Sequence, residues 1–570
     1  MDESIAAVSP LPGPPAEEAA RPRTVDSFEW LTPIAALALA ALFVGPLLGI
    51  ALAVGDATPV FWFALIADLV LLFVFALASV RRPLLFVGLM TVWFVLQRLV
   101  LALAAPHLSP DALRLLMTYK EGFYMVLVAA GAVGFAVAYV RRERSLTPLL
   151  LADILALALL AMLAISFLVS SADLSPRLTY ARRFAAPLLL YLGGRLLLPD
   201  REQLLSGLRL LVAVALGVAV FGLVERFALG ASFWSDQVNA VGFYSRLSQG
   251  GLLPGAWIRP FQGVPEGIFV AFPVDVPVRR LVSTYLEPTT LGAFLALALL
   301  LALFVPGLVP PRRRWLLAPA AALLAIAVAA TVSRGAMQIA LIGGGLALAF
   351  TGARALRPPW RLESIVVTAA AAALLAALLV SSLSFTQVPN RREQLQDFLG
   401  TRLVSGLEPV PPPPPPTGGT PLSEGAQTHV NGLSSGLEQM LDDPAGLGVG
   451  AAGAWSQAPE VGSESTVGTL AAQLGIPGLV LWLALHAAVV ASLVQAGLRL
   501  RRQEATISAA SLVLAAALVG LFASAWFSES AAGLLGNAFF FLFAGWVLAA
   551  VAPLGAGIRF RWLPLTGRGA

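Results

Sequence analysis

Residues 463–485 read SESTVGTLAAQLGIPGLVLWLAL. An acidic residue, Glu464, stands at the mouth of an apolar stretch that continues to residue 496. A bilayer-spanning helix needs about 20 such residues, so the stretch is long enough to cross. Nine residues separate Ser465 from Gly475, and two more separate Gly475 from Gly478. A carboxylate in that place could rest in headgroup water or could serve a reaction. The rest of the chain repeats the apolar pattern: 570 residues are 58% hydrophobic and 12% charged, with mean hydropathy +0.83. No water-soluble core needs that much apolar sequence, which makes this a polytopic membrane protein. With no cysteine there is neither a disulfide framework nor a thiolate metal site. Only three histidines are present, so no metal site and no cofactor are expected, and nothing points to a nucleic-acid partner.

Candidate spans lie at 31–54, 60–80, 83–104, 122–140, 149–169, 184–198, 203–228, 288–309, 315–332, 335–350, 363–384, 466–496, 506–526 and 531–553. The sixth, FAAPLLLYLGGRLLL, is short and carries Pro187 and Gly193-Gly194, and it reads as re-entrant or broken. The fold class is therefore an all-α polytopic integral membrane protein of about 12–14 transmembrane helices with two long extracytoplasmic loops. Its expected organisation is a polar, proline-rich cytoplasmic tail at 1–30, not a signal peptide, then an N-terminal bundle at 31–229 and an extracytoplasmic loop at 230–287. Central helices follow at 288–384, then a larger extracytoplasmic loop at 385–465, C-terminal helices at 466–553 and a cytoplasmic tail at 554–570.

Arginine bias in the short loops sets the orientation. With both termini cytoplasmic, the inner loops carry Arg81-Arg82, Arg141, Arg142, Arg144, Arg201, Arg312 to Arg314, Arg354, Arg357, Arg361, Arg499, Arg501 and Arg502. The outer loops GDATP and FSES have no basic residue, while SADLSPRLTYARR is the exception with three. Both long polar segments then fall on the outer face, where function usually sits on a rigid scaffold.

The first loop holds Trp234, Tyr244, Trp257 and Phe261, which could stack on sugar faces or simply pack the loop, and ends at Arg279 and Arg280. The second opens with a short helical stretch and a polyproline spacer, EPVPPPPPPTGG. It then sets Val430, Leu433, Leu437 and Met440 at helical spacing, predicting an amphipathic helix on the membrane or on the bundle. PAGLGVGAAG follows; with no preceding strand and no GK[ST] after it, it is not a P-loop. Arg334 stands at the tight junction of two spans, in TVSRGAM, on the same outer face as Arg280 and Glu464. Arginine grips phosphate oxygens two at a time and stays charged, and fixed cations stabilise a departing diphosphate. A carboxylate near an acceptor hydroxyl could act as general base. A structural ion-pair network is the competing explanation.

The chain resembles the O-antigen ligase and polysaccharide polymerase superfamily of bacterial inner-membrane proteins over roughly 170–500. The resemblance rests on TYARRFAAPLLLYLGGR, FGLVERF, RRLVSTYLEPTTLGAFLALALLL, TVSRGAMQIAL, DDPAGLGVGAAG and SESTVGTLAAQLGIPGL. It implies a glycosyltransferase, inverting and metal-independent, that moves an undecaprenyl-diphosphate-linked oligosaccharide to a glycan or lipid acceptor outside the cytoplasmic membrane. By the same resemblance Arg280 and Arg334 hold the diphosphate, with Arg279 as a neighbour. Ligases of the family are similar at the quoted stretch but place histidine where this chain has Glu464, which shifts the expectation from ligation toward polymerisation. Arg182, Arg183, Glu225, Glu287 and His429 are supporting candidates. A transporter or flippase of the same glycans is the alternative from another class. It would need ionisable residues inside the spans, of which Asp68, Arg98, Asp153 and Arg209 are the main ones.

Overall fold

A computed structural model describes residues 83–107, 149–197, 199–229, 233–240, 278–331, 333–355, 424–453, 465–526 and 534–552, with isolated positions between them. The tails, the candidate spans at 31–54, 60–80 and 363–384, nearly all of 122–140, the polyproline spacer and Glu464 lie outside the described residues.

The described helices are α1 (Pro83–Ala104), α2 (Leu151–Val169), α3 (Leu174–Leu196), α4 (Arg201–Ala228), α5 (Pro288–Phe304) and α6 (Leu317–Ala330). Next comes α7 (Arg334–Gln338), which runs through a π-turn at Ile339–Gly343 into α8 (Gly344–Ala355). The series closes with α9 (Glu424–Asp442), α10 (Thr466–Arg499), α11 (Ala505–Ala525) and α12 (Leu534–Val551). Among the described residues the extended pairing is a two-residue antiparallel ladder, β1 (Phe269–Val270) with β2 (Val278–Arg279). Among the described residues five segments are long and apolar enough to cross a membrane: Leu151–Val169, Arg201–Ala228, Pro311–Ala330, Thr466–Arg499 and Ala505–Ala525. Several apolar helices of this kind fit a multi-pass membrane protein.

The centre of the bundle is α5, which is apolar on every side and therefore has no face to give to water. Phe294 through Leu301 expose no surface, and α4, α6, α7, α11 and α12 pack around them. An aromatic run ties α1 and α12 to this centre: Phe94 lies 5.9 Å from Phe539, and Phe539 lies 4.8 Å from Phe294. The sixth segment departs from the sequence expectation. It is one continuous 23-residue helix, α3, with Pro187 inside it. Gly193-Gly194 does not break the helix but lets α12 press on it: a Cβ on Gly194 would meet Leu542 O at 2.4 Å, and one on Gly545 would meet Tyr191 O at 2.1 Å. Most of SADLSPRLTYARR is accordingly the first turns of α3 and not a loop.

Polar side chains mark the two ends of the bundle. At one, Asp153 takes both the Nε and an Nη of Arg195 at 2.9 Å and the Tyr191 hydroxyl at 2.8 Å. Near it, Arg201 reaches Glu504 at 2.8 Å and Arg209 donates to Leu308 O at 2.7 Å. The opposite end collects Arg226, Arg280, Ser333, Ser465 and Thr466, whose contacts are described below.

The second departure is α10. Its sequence reads as a single span, yet Gly475 sits at φ 63°, ψ −163°, and splits it into a half-helix to Leu474 and a long helix from Ile476. Only glycine takes that conformation without strain. A break of this sort frees peptide groups that a nonpolar interior cannot satisfy. The glycine-rich segment 444–453 satisfies them: Leu447 N donates to Ala472 O at 2.9 Å, Gly448 N to Gln473 O at 3.0 Å, and Ile476 N to Pro444 O at 3.0 Å. The same segment clamps α2, with Val449 N donating to Ser166 Oγ at 3.1 Å and Ser170 Oγ to Val449 O at 2.9 Å. Its amides thus serve the protein itself and do not form a phosphate cradle. The amphipathic helix α9 lies on the bundle, where Gly432 and Gly436 cross Gly468 so closely that a Cβ on Gly436 would meet Gly468 O at 2.3 Å.

Gly475→Ala should strain the backbone and drive a methyl to 2.2 Å from Pro444 O. The expected loss is about 3 kcal/mol or more. Thermal unfolding of the detergent-purified protein tests this. An unfolding midpoint equal to wild type would mean that the break is not built as described.

Candidate functional site

The C-terminus of α6 leaves carbonyls without helical partners, and it points partial negative charge at its surroundings. Arginines take both. Arg226 Nη1, from the last turn of α4, donates to Ala330 O at 2.7 Å. Arg280 Nε donates to Thr331 O at 2.9 Å, and Leu281 N donates to Ala330 O at 2.9 Å. The strand end at Arg280 is therefore zipped to the turn that leads out of α6. Two residues on, Ser333 caps α7 by accepting from Ala336 N at 3.3 Å, which presents Arg334 as the first helical residue, exposed at this end. One short turn thus holds Arg280 and carries Arg334.

The electrostatics show that the two guanidiniums feel each other. Arg280 keeps part of its surface open. Its surroundings are nevertheless dense enough that burial pushes it down to about 10; Glu287 opposes the shift and the like charge of Arg334 adds to it. Glu287 is shared: Arg98 Nη1 lies 3.4 Å from its Oε2 and also donates to Tyr285 O at 3.3 Å, while Thr290 Oγ1 donates to the same carboxylate. Arg98 and Arg280 thus both act on Glu287, and Arg334 adds a third cation beside Arg280.

The N-terminus of α10 belongs to the same end. Ser465 Oγ accepts from Gly468 N at 3.0 Å and donates to Trp526 O at 2.8 Å, while Thr466 Oγ1 donates to Ser528 O at 2.8 Å. A Cβ on Gly335, beside Arg334, would meet both Ser524 and Ser528 at 3.9 Å. Ser528 thus lies beside the Arg334 turn and accepts from Thr466, two residues after Glu464 in sequence. Gly462, two residues before Glu464, is fixed as well: its N donates to Ser435 Oγ at 3.1 Å and its O accepts from Thr469 Oγ1 at 2.6 Å. Beneath this end a cavity of about 40 Å³ runs between α2, α3, α10, α11 and α12. Arg183 and Thr466 line it together with apolar groups that include Leu163, Leu470 and Phe522.

The remaining candidates take the following places. Trp234 does not face a sugar site; it is buried and donates from Nε1 to Glu225 Oε1 at 2.7 Å, so Glu225 anchors the chain that leaves α4. Tyr244, Trp257 and Phe261 lie outside the described residues. Arg182 and Arg183 are helical and half-buried, with Arg183 lying 5.7 Å from the ring centre of Tyr180. Arg177, the third arginine of that stretch, closes the end of α2 by donating to Phe167 O and Ser170 O at 3.3 and 3.2 Å. Arg279 ends β2, and His429 is half-buried on α9. His486 is held within α10, its Nδ1 2.8 Å from Trp482 O. Sequence reading did not single out Arg226, although FGLVERF contains it; a helix-terminal arginine signals a carbonyl cap only once the second helix is in place.

No protein-family model matches the chain, and no curated protein matches it significantly.

An anion site built this way makes a direct expectation. Inorganic diphosphate at about 100-fold over its Kd should stabilise the wild-type protein by about 2.7 kcal/mol. Arg280→Gln and Arg334→Gln should each remove most of that response while leaving the ligand-free protein folded, because each substitution also relieves like-charge repulsion. An undiminished diphosphate response in both variants would exclude these arginines from the site.

Proposed function

We propose that the protein is a membrane glycosyltransferase of the O-antigen ligase and polymerase type, acting as a polysaccharide polymerase, with ligation as the alternative. It would take an undecaprenyl-diphosphate-linked glycan on the extracytoplasmic face of the bacterial cytoplasmic membrane and transfer it to an acceptor hydroxyl. The observation that carries this reading is the pairing of Arg280 and Arg334 in electrostatic contact on one turn, at the same end as the N-terminus of a broken helix. Backbone interrupted at membrane depth is tolerated where it is enclosed by protein, and such half-helices are common around anionic substrates.

In the proposed reaction the acceptor oxygen attacks the anomeric carbon on the face opposite the diphosphate, inverting its configuration. The glycosidic carbon–oxygen bond to the diphosphate breaks, its electron pair leaves with the phosphate oxygen, and Arg280 and Arg334 stabilise that charge. Glu464, which directly precedes the N-cap Ser465 in sequence, receives the acceptor proton or orients the hydroxyl. Arg279 is an additional cation from the same strand end. Glu287 and Arg98 fix the neighbouring turn.

Transport receives less support. Of the four intramembrane ionisable residues, Asp153 is occupied by Arg195, Arg98 by Glu287 and Arg209 by a backbone carbonyl; Asp68 lies outside the described residues. None of the three described ones lines the cavity.

The deciding experiment is the glycan profile, resolved by chain length, of cells lacking the protein and of cells carrying Glu464→Gln. Collapse of a long ladder to single repeat units in both identifies a polymerase with an essential carboxylate, and general-base loss should reduce turnover about 100-fold or more. Full-length chains stranded on the carrier identify a ligase. Normal glycans in both strains would refute the glycosyltransferase reading.

A further inference from the structure

Between Arg280 and Glu287 the chain makes a turn that is unfavourable in two independent ways. Ser283 and Leu286 hold left-handed backbone, φ 46° and 53°. Side chains with a Cβ adopt that region reluctantly, and such positions concentrate at functional sites. The two residues between them, Thr284 and Tyr285, are 6% and 1% exposed, and neither hydroxyl meets a hydrogen-bond partner among the described residues. Gln97 on α1 is the third such group: it is fully buried, and neither end of its amide finds a partner among the described residues. Buried polar groups are ordinarily paired, so three unpaired ones need a reason.

They lie on two elements that pack against each other, α1 and the Ser283–Tyr285 turn. Gln97 adjoins Arg98, which donates to Tyr285 O at 3.3 Å and contacts Glu287 at 3.4 Å. One turn earlier on the same face of α1, Phe94 joins the aromatic run through Phe539 to Phe294, which lies 5.7 Å from the Tyr285 ring. Burial pushes the Tyr285 hydroxyl well above its usual range, and the Arg98 charge opposes the shift. Hydroxyls that serve only structure behave differently nearby: Ser283 donates to Val218 O at 2.8 Å and Thr331 to Val328 O at 2.7 Å.

We propose that Gln97, Thr284 and Tyr285 form a specificity subsite for the hydroxyl groups of a carbohydrate, closed when empty and opened by movement of the Ser283–Leu286 turn. The inference rests on Arg280 and Arg334 as the diphosphate site and names the residues that read the sugar next to it. All three side chains can both donate and accept. That matches sugar hydroxyls, which do both, and is more than a phosphate, an acceptor only, would require. Leaving the left-handed conformations on opening would release strain, offsetting part of the free energy needed to expose the turn.

The test uses the purified full-length protein with Thr284→Val/Tyr285→Phe as a double variant and, on a separate element, Gln97→Leu. Unfolding midpoints are read without ligand, with undecaprenyl diphosphate, and with the undecaprenyl-diphosphate-linked glycans extracted from cells lacking this protein. The ligand-free midpoints should equal or exceed wild type, since the groups removed have no partners. Response to the bare carrier should be unchanged, and affinity for the glycan-bearing carrier should fall about tenfold toward that of the bare carrier. Lower ligand-free midpoints in both variants would show that the groups are paired, and would overturn the inference. Equal glycan affinity in variants and wild type, or no preference for glycan over bare carrier in wild type, would overturn it while the diphosphate site stands. Wild-type protein that responds to neither compound would overturn the diphosphate site, and the subsite with it.

Discussion

A helix interrupted inside a nonpolar bundle exposes peptide groups where no water can reach them, and the rest of this structure is arranged around meeting that demand at Gly475. The segment 444–453 supplies the donors and acceptor for the broken ends of α10. To do so it must pass beside α2 and the start of α3, so it also fixes those helices through Ser166 and Ser170. The half-helix Thr466–Leu474 is thereby isolated as a separate rigid piece, crossed on one side by α9 through Gly436 and Gly468. Its N-terminus is delivered to the end of the bundle where the arginines collect. Position and function are linked here by backbone satisfaction, not by side-chain packing alone.

Local pattern carried much of this, and its limits have physical causes. Apolar runs locate helices because each must bury its own peptide groups, so α2, α4, α5, α10 and α11 were legible from composition. The continuity of α3 was not, because Pro187 and Gly193-Gly194 have opposite meanings in an isolated and in a packed helix. Only the neighbouring backbone of α12 makes those glycines contact residues. The break at Gly475 was hidden for the converse reason: a glycine before an Ile-Pro pair in an apolar run looks like a tolerated defect until the segment 30 residues earlier, which satisfies it, is in place.

At the site, Arg280 and Arg334 were legible as charged residues at span ends. Trp234 could be read from sequence as a ligand platform or as a plug, and burial against Glu225 decides for the plug. Arg226 and Arg98 were underrated because their partners are backbone carbonyls and a shared carboxylate contributed by distant segments. The orphaned groups at Gln97, Thr284 and Tyr285 have no sequence signature, since an unpaired hydroxyl is a property of its surroundings.

The two ends of the bundle use the same residue type in opposite electrostatic states. Arg195 meets Asp153 through two parallel hydrogen bonds, with Tyr191 and the amide of Leu150 completing the carboxylate's partners. That geometry neutralises the guanidinium locally and commits Nε and one Nη to the carboxylate. Arg226 and Arg280 are instead held by neutral carbonyl oxygens at the end of α6. A carbonyl fixes a guanidinium in space without cancelling its charge, and Glu287, whose charge acts on Arg280, also contacts Arg98. Burial pushes Arg280 down to about 10, and the like charge of Arg334 adds to the shift while Glu287 opposes it. Two guanidiniums that repel each other are stabilised by any anion that binds both, which is the electrostatic condition the proposed transfer of a diphosphate-linked glycan would use.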